Sequence, residues 1–480
     1  MFGRGVMSYQ YVLSWLGLAL LAGISLIGVR MLSYWWSFAL HWRRYRQRQD
    51  ITSAELRGMP VPYVKIQITT RGSAGSTEVI LRGIRNVVAL AAEDPHYYGQ
   101  VLSVELVTES EVQARLVETT FSVAPVRVDA LVLPAGYRTP RDTKLKARGL
   151  HYAVECRRRG WNRRPGRTFI VHYDEESVMV PAELRKLLAV LARTDKKLLE
   201  GPIYYPLEYT DASAICRAME ANRPVGCFEC RHVMERGVPL HLHGSNLVVE
   251  EDFENALGWD IGSLDGRPLI AEDYVFGMNA FLLAGGERFG WHGCVMLEQP
   301  PFSFRSAFKQ RHRWIFGVLQ GMAMARRTRE FRRLPPRVRR ALVWGTRFRI
   351  ATFALGAVVG AVALPMLPLL LGRSLLALVS GDPPPLPPLV LLWTAAVGAL
   401  WLGSVLIGAW YNVGDAGLST AGRCAEIARA VALAPIAGVA ESSAALQAVV
   451  QWISGAREVS WQPTPKTRAA DAAVDWRRTA

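Results

Sequence analysis

Three stretches of the chain, residues 11–29, 350–372 and 386–413, carry no charged residue. Each is long enough to cross a hydrocarbon layer of roughly 30 Å as a helix. The segment between the first two is patterned differently. From Val64 the run VKIQITT alternates and is β-branched, which predicts a strand; Leu81, Ile84, Val87, Val88 and Leu90 follow at helical spacing. VLSVELVTE and VDALVLP read as further strands, and a Lys/Arg-rich helical segment over 143–159 leads to the strand TFIVHY. Strands alternating with helices predict an α/β fold, a mostly parallel sheet covered on both faces. Ligands of such sheets bind at the carboxyl ends of the strands. There the chain places Arg71, Glu109 and the trio Asp174, Glu175 and Glu176.

After Glu298 the pattern changes again. Phe302, Phe304, Phe308, Trp314, Ile315, Phe316 and Leu319 interleave with Arg305, Lys309, Arg311 and Arg313, as in a helix lying in a membrane interface. Residues 373–388 contain Pro383, Pro384, Pro385, Pro387 and Pro388 and suit a short external turn. Between Arg429 and Arg457 two half-length apolar stretches flank Glu441, Ser442 and Ser443, with Pro435 in the first. A carboxylate at membrane depth needs a cavity or a partner. The tail, with Arg457, Lys466, Arg468, Arg477 and Arg478, prefers the inner side, so a re-entrant or interfacial hairpin is expected there rather than a fourth crossing.

Charge orients these pieces. Lys and Arg total 57 against 41 Asp and Glu, a net +16. The excess sits beside the apolar runs, at Arg43, Arg44, Arg46 and Arg48 and again over 332–349. This is the positive-inside pattern, and it predicts a multi-pass protein of the cell membrane with residues 42–345 in the cytoplasm. No nucleic-acid-binding motif accompanies the charge, so nucleic acid is not expected as a partner. The first apolar run lacks a small-residue cleavage site and closes on Tyr34, Trp35 and Trp36, as a retained anchor does. Six irregularly spaced cysteines in a cytoplasmic domain predict free thiols, and Cys227, Cys230 and His232 lack the second pair that a zinc site would need. The expected organisation is an anchor over 1–41, a basic connector over 42–59, an α/β domain over 60–300, an interfacial helix and basic linker over 301–345, a membrane region over 346–455 and a polar tail over 456–480.

Three local features carry chemistry. Asp174 and Glu176, at the end of a predicted strand, can take part in binding a hard divalent cation, although a solvated acidic turn would look the same. Glu272 and Asp273 open a predicted helix, where an acid is often only a cap. Gln310, Arg311, His312, Arg313 and Trp314 combine phosphate-binding cations with an aromatic platform.

In this order and between membrane spans, the three resemble glycosyltransferase family 2, and within it the egghead-type β-1,4-mannosyltransferase branch with its bacterial relatives. The segments that carry the resemblance are ITTRGS, VTES, LKARGLHYA, HYDEES, HGSNLVV, GWD with IAEDYVFG, and GWHGCVMLEQPPFSFRSAFKQRHRW, over roughly residues 60–325. The resemblance implies a GT-A type α/β domain that moves a hexose, with inversion, from a GDP- or UDP-linked nucleotide diphosphate sugar to a lipid-linked or glycan acceptor. It implies Asp273 as catalytic base, and Asp174 and Glu176 as ligands of Mg2+ or Mn2+. Thr69, Arg71, Glu109, Lys146, Arg148, Glu175, Gln310, Arg311 and Arg313 would contact the donor. Ser245, Asn246, Glu272, His292, Glu298 and Trp314 would lie on the acceptor side. A processive synthase of the cellulose or hyaluronan type and a donor-binding membrane regulator without activity are the competing readings.

Overall fold

The computed structural model describes residues 3–46, 50–240, 242–381, 388–455 and 464–468. The chain opens with α1 (Gly3–Arg46) and α2 (Ser53–Arg57), then β1 (Tyr63–Thr69), α3 (Thr77–Glu93), α4 (Pro95–Val101), β2 (Leu102–Thr108), α5 (Glu111–Thr120), β3 (Arg127–Val132), α6 (Leu145–Arg158) and β4 (Thr168–Tyr173). It continues through α7 (Pro181–Arg193), β5 (Leu198–Glu200), β6 (Ile203–Tyr204), α8 (Ala214–Glu220), α9 (Arg223–Glu235), β7 (Leu247–Glu250), α10 (Glu251–Leu257), β8 (Ser263–Leu264) and β9 (Arg267–Pro268). After α11 (Glu272–Ala284), β10 (Phe289–Trp291) and β11 (Met296–Leu297), it ends in α12 (Phe304–Ala325), α13 (Arg329–Arg333), α14 (Pro336–Ser380), α15 (Pro388–Gly414) and α16 (Thr420–Ile453).

Seven strands form the main sheet in the order β10-β5-β7-β4-β1-β2-β3. β7 runs antiparallel to β4 and β5, and the other pairings are parallel, with Ile66 opposite both Val104 and Val171. The mostly parallel sheet flanked by helices is therefore present. In β1, Val64, Ile66 and Ile68 face one core with Ile80, Ile84 and Val87 of α3. Lys65 and Gln67 are buried on the opposite face as well, which is possible because each has a polar partner: Lys65 Nζ meets Glu251 at 2.9 Å, and Gln67 donates to Glu105 at 2.5 Å. Arg157, wholly buried, joins the same network through Glu105 at 3.5 Å and Glu254 at 2.5 Å. His172 and Trp259 also meet Glu254, at 2.9 and 2.6 Å; Arg157 first, and then these two, hold its carboxyl at about 2 against the effect of burial. Removing the single guanidinium strands these acids, so Arg157→Leu is expected to cost about 3–5 kcal/mol, read as a lowered thermal midpoint of the purified protein in detergent.

Among the described residues, four helices are long and apolar enough to cross a membrane: Gly17–Trp42, Pro336–Ala377, Leu389–Gly414 and Thr420–Ile453. The expected basic linker is helical and continues without a break into the second of these, and α1 likewise runs past residue 41. The hairpin expected over 429–457 is a single continuous helix, α16, with Pro435 inside it. Glu441 is tolerated because it meets Arg311 Nε at 2.8 Å. α16 also touches the α/β domain toward both ends, through Glu426 with Arg217 at 3.0 Å and Trp452 with Phe316. α16 packs as well against α14 and α15 and is itself one of the four helices of membrane-crossing length. It passes α14 closely where Gly356 faces Ser442 and Gly360 faces Val439: a Cβ on either glycine would stand 2.5 or 2.6 Å from its neighbour. α12, expected in the interface, packs between α11 and α16 with Arg311 and Phe316 buried, because its cations meet carboxylates of the protein. The turn around Pro383–Pro387 and tail residues Arg457, Arg477 and Arg478 lie outside the described residues.

Candidate active site at the carboxyl ends of the strands

One cavity of about 980 Å³ opens over the strand ends. Thr69 and Arg71 reach it from the end of β1, Glu109 from β2, Lys146 from the first turn of α6, and Asp174, Glu175 and Glu176 from β4. Ser245 reaches it from the turn before β7, Glu272 and Asp273 from the start of α11, Glu298 from beyond β11, and Gln310, Arg311, Arg313 and Trp314 from α12. Fifteen of the eighteen residues singled out above thus line one space. Arg148, Asn246 and His292 do not. Arg148 pairs with Glu109 at 2.8 Å and so supports a lining residue from behind. Asn246, in the left-handed region at φ 57°, donates to the carbonyls of Pro202 and Cys294 at 2.8 and 2.9 Å. His292 sits against the Asn246 carbonyl at 3.2 Å, and burial pulls its pKa down to about 4. Both are framework of the wall. The correction is one of side-chain direction: neighbours in a tight turn point to opposite sides of it.

The acidic half of the cavity holds Asp174, Glu175, Glu176, Glu272, Asp273 and Glu298, faced by Lys146, Lys466 and Arg313. Lys146 Nζ bonds Asp174 and, at 3.2 Å, the Gly244 carbonyl; Lys466 Nζ bonds Glu176 at 2.5 Å. Burial would raise Asp174, but Lys146 and Lys466 outweigh it and hold the carboxyl below its usual range. Glu298 is pushed the other way, to about 8, first by burial and then by Glu176 and Asp174. Ser177 ties the two ends together, accepting from the Asp174 N–H at 3.0 Å and donating to Glu298 at 3.0 Å.

Asp273 is half-buried in the wall, with the Tyr274 N–H donating to Oδ1 at 2.7 Å. Burial first, then the neighbouring Glu272, raise its carboxyl to about 7. A Cβ built at Gly244 would stand 3.4 Å from Asp273 Oδ2 and 3.5 Å from Lys146 Nζ, so the bare glycine keeps the space over the carboxylate open. His243, beside it, meets Glu200 at 2.9 Å; burial would lower its pKa, but Glu200 and Cys230 raise it to about 10, so the ring is cationic at neutral pH.

On α12 the two arginines face different ways. Arg311 bonds Glu220 and Glu441 and stands over the Trp314 ring at 4.5 Å, and Arg223 reaches the same ring at 4.3 Å. Arg313 feels Glu272, Asp174, Asp273 and Glu176, which counter the burial that lowers its pKa.

Residues 169–407 match the family model described as glycosyl transferase family group 2. The chain carries a family 2 glycosyltransferase domain. Beta-1,4-mannosyltransferase egh of Drosophila melanogaster is 24% identical over 270 residues, which are 55% of this chain and 54% of that protein. Beta-1,4-mannosyltransferase bre-3 of Caenorhabditis elegans is 26% identical over 195 residues, 40% of this chain and 41% of the relative. The chain thus spans about half, or less, of the length of the curated relatives it matches. Among solved structures, mannosyltransferase PcManGT from Pyrobaculum calidifontis, in complex with GDP-Man and Mn2+, aligns over 82% of this chain and 99% of its own, with 15% identity and a TM-score of 0.42. A fragment of S. aureus TarS in complex with UDP-GlcNAc aligns over 82% and 92%, with 10% identity and a TM-score of 0.38.

The glycosyltransferase domain also recruits residues that the sequence did not single out for the site. Lys466 approaches Glu176 from 290 positions away, and its carbonyl accepts from Gln299 at 2.9 Å. Glu220, wholly buried at the end of α8, neutralises Arg311 and stands 3.4 Å from Arg223. The one local hint was Glu441, a carboxylate in an apolar stretch that required a partner. Cys227 and Cys230 are buried and outside any disulfide, and among the described residues no three Asp, Glu, His or Cys side chains stand in ligating geometry.

Proposed function

We propose that the protein is a membrane-embedded, inverting hexosyltransferase. It moves a sugar, mannose being the first candidate, from a GDP- or UDP-linked donor to a lipid-linked or glycan acceptor and forms a β-glycosidic bond. The observation that carries this reading is Asp273, a carboxyl held near neutral pKa in the same cavity as the strand-end acids and Arg313. Inversion needs one base placed opposite the leaving group. The nucleoside of the donor lies along Thr69, Arg71 and Glu109, and Lys146 and Arg313 face its diphosphate. The acceptor hydroxyl oxygen bonds the anomeric carbon as the bond from that carbon to the diphosphate oxygen breaks; Asp273 takes the proton, and the nucleoside diphosphate leaves with the electron pair.

The acidic half of the cavity fits a divalent cation. Six acids face three cations there, and Glu298 is held near its neutral form first by burial and then by Glu176 and Asp174. Asp174 and Glu176 would hold Mg2+ or Mn2+, hard cations that take oxygen ligands. When bound, the ion supplies charge stabilisation to the leaving diphosphate. Calorimetric titration of the purified protein with GDP-mannose and a set of UDP-sugars, in Mn2+, tests the donor assignment. Binding of one of these donors that is competed by its free nucleoside diphosphate is expected, and no binding of any of them would overturn it.

The arginines flanking the spans support a cytoplasmic position for the glycosyltransferase domain. With α1, α14 and α15 as crossings and α16 lying along the domain, Ser380 is outside and Thr467 inside. In a cysteine-free background, an impermeant thiol reagent applied to intact cells should label Ser380→Cys and spare Thr467→Cys. Labelling of the second would contradict the orientation.

A further inference from the structure

The cavity does not stop at the chemistry. It runs on between α1, α14, α15 and α16, where Ile24, Phe353, Val359, Leu364, Val397 and Val439 line it. From Phe353 to Pro368, both in its wall, α14 advances 15 residues, about 22 Å of helix. A growing polysaccharide would need polar walls over that length. An apolar crevice between membrane-length helices suits a hydrocarbon chain instead.

Where the crevice joins the catalytic chamber stand two arginines. Arg30 of α1 donates from Nη1 to the Arg349 carbonyl at 2.9 Å and to Thr352 Oγ1 at 3.4 Å, and from Nη2 to Tyr34 Oη at 3.0 Å. Every one of these partners is neutral, and its Nε is buried without a partner. Arg349 of α14 donates from Nη2 to Glu229 at 2.8 Å, while its Nη1 is likewise buried and unpartnered. Glu229 spends its other oxygen on Ser33 at 2.8 Å. Tyr34 and Cys230, the other titratable neighbours, bring no negative charge while protonated, and burial favours that form of the thiol. The next cluster inward is balanced, with Arg223 and Arg311 against Glu220 and Glu441. Here the one carboxylate, Glu229, pairs with Arg349, and Arg30 has only neutral partners. Both arginines line the cavity that also holds Asp273.

Cations carried by membrane helices are costly without an anionic partner, and guanidinium is the side chain best matched to phosphate. We propose that Arg30 and Arg349 bind a phosphate of the acceptor, so that the acceptor is a lipid whose sugar is joined to its hydrocarbon chain through phosphate or diphosphate. The chain enters the crevice, the phosphate rests on the arginines, and the sugar hydroxyl reaches Asp273. This rests on the glycosyltransferase reading above and narrows its acceptor.

The test uses the full-length protein in phospholipid-free maltoside micelles, with two acceptors of equal chain length, a long-chain alkyl glycoside and the same glycoside joined through a phosphodiester. The wild type should prefer the phosphodiester in kcat/KM. Arg30→Gln should lower that preference about 10- to 100-fold, the scale of a charged hydrogen bond, and Arg30→Lys should restore part of it. A role confined to folding would lower both acceptors alike and leave the ratio unchanged, which would overturn the proposal, as would equal use of both acceptors by the wild type. Competitive inhibition by added phosphatidylglycerol at acceptor concentrations would assign the arginines to bilayer lipid and overturn it too. Failure to release nucleoside diphosphate with either acceptor and any donor would count against the glycosyltransferase reading itself.

Discussion

Asp273→Asn is expected to lower sugar transfer by about two to four orders of magnitude, the usual scale for a general base, while donor binding survives. The amide keeps the shape of the side chain and the hydrogen bond from the Tyr274 N–H, and loses only the ability to take a proton. Glu272→Gln is the control. It removes the neighbouring charge that helps raise Asp273, so it should shift the pH profile downward and cost less at high pH. With the carboxyl near 7, the base is about half protonated at neutral pH, and wild-type kcat/KM should rise with pH through about 7 and level off above it. The stability linkage has the opposite sign. A carboxyl raised in the folded state favours folding at low pH and loses that contribution as pH climbs through 7, so Asp273→Asn should gain stability relative to wild type above neutrality. Initial rates and thermal midpoints across pH 5.5–9 check both; a flat profile, or transfer by Asp273→Asn at near wild-type rate, would remove the base assignment.

Removal of divalent cations by excess chelator is expected to abolish transfer, and Asp174→Asn or Glu176→Gln to weaken donor binding by at least about 10- to 100-fold. The argument is electrostatic. Six acids line the chamber against Lys146, Lys466 and Arg313, and a donor diphosphate adds further negative charge to a space that already holds Glu298 at about 8. Lys146 meets Asp174 and Lys466 meets Glu176, so both ligands are engaged by lysines and the measured cation requirement includes their displacement. Donor titrations with and without Mn2+ separate the two effects. Full turnover in chelator would contradict the cation's role.

The sheet was legible because its strands are β-branched, bounded by turns and covered on both faces; TFIVHY coincides with β4 residue for residue. The site was legible where function and local pattern coincide, at strand ends and at the start of α11. Other parts depend on partners remote in sequence. Glu441 meets Arg311 from 130 positions away, and that contact lets α16 stay one helix where its own pattern suggested two halves. Lys466 is one basic residue in a polar tail until the fold lays it on Glu176. Asn246 and His292 were read as lining the acceptor side because they sit within motifs whose neighbours do, and no local signal shows which way a side chain leaves a turn. In sequence Arg30 and Arg349 merely border the uncharged stretches 11–29 and 350–372; the cavity they share and the pairing of Arg349 with Glu229 emerge only in the fold.

The most direct measurement offers the purified protein a panel of nucleotide sugars with a long-chain lipid-linked acceptor and Mn2+, and determines by nuclear magnetic resonance the anomeric configuration of the new bond as nucleoside diphosphate is released. An α-linked donor should yield a β-linked product, one equivalent per nucleoside diphosphate. A product that keeps the α configuration, or the absence of transfer from every donor, would contradict an inverting glycosyltransferase with Asp273 as its base.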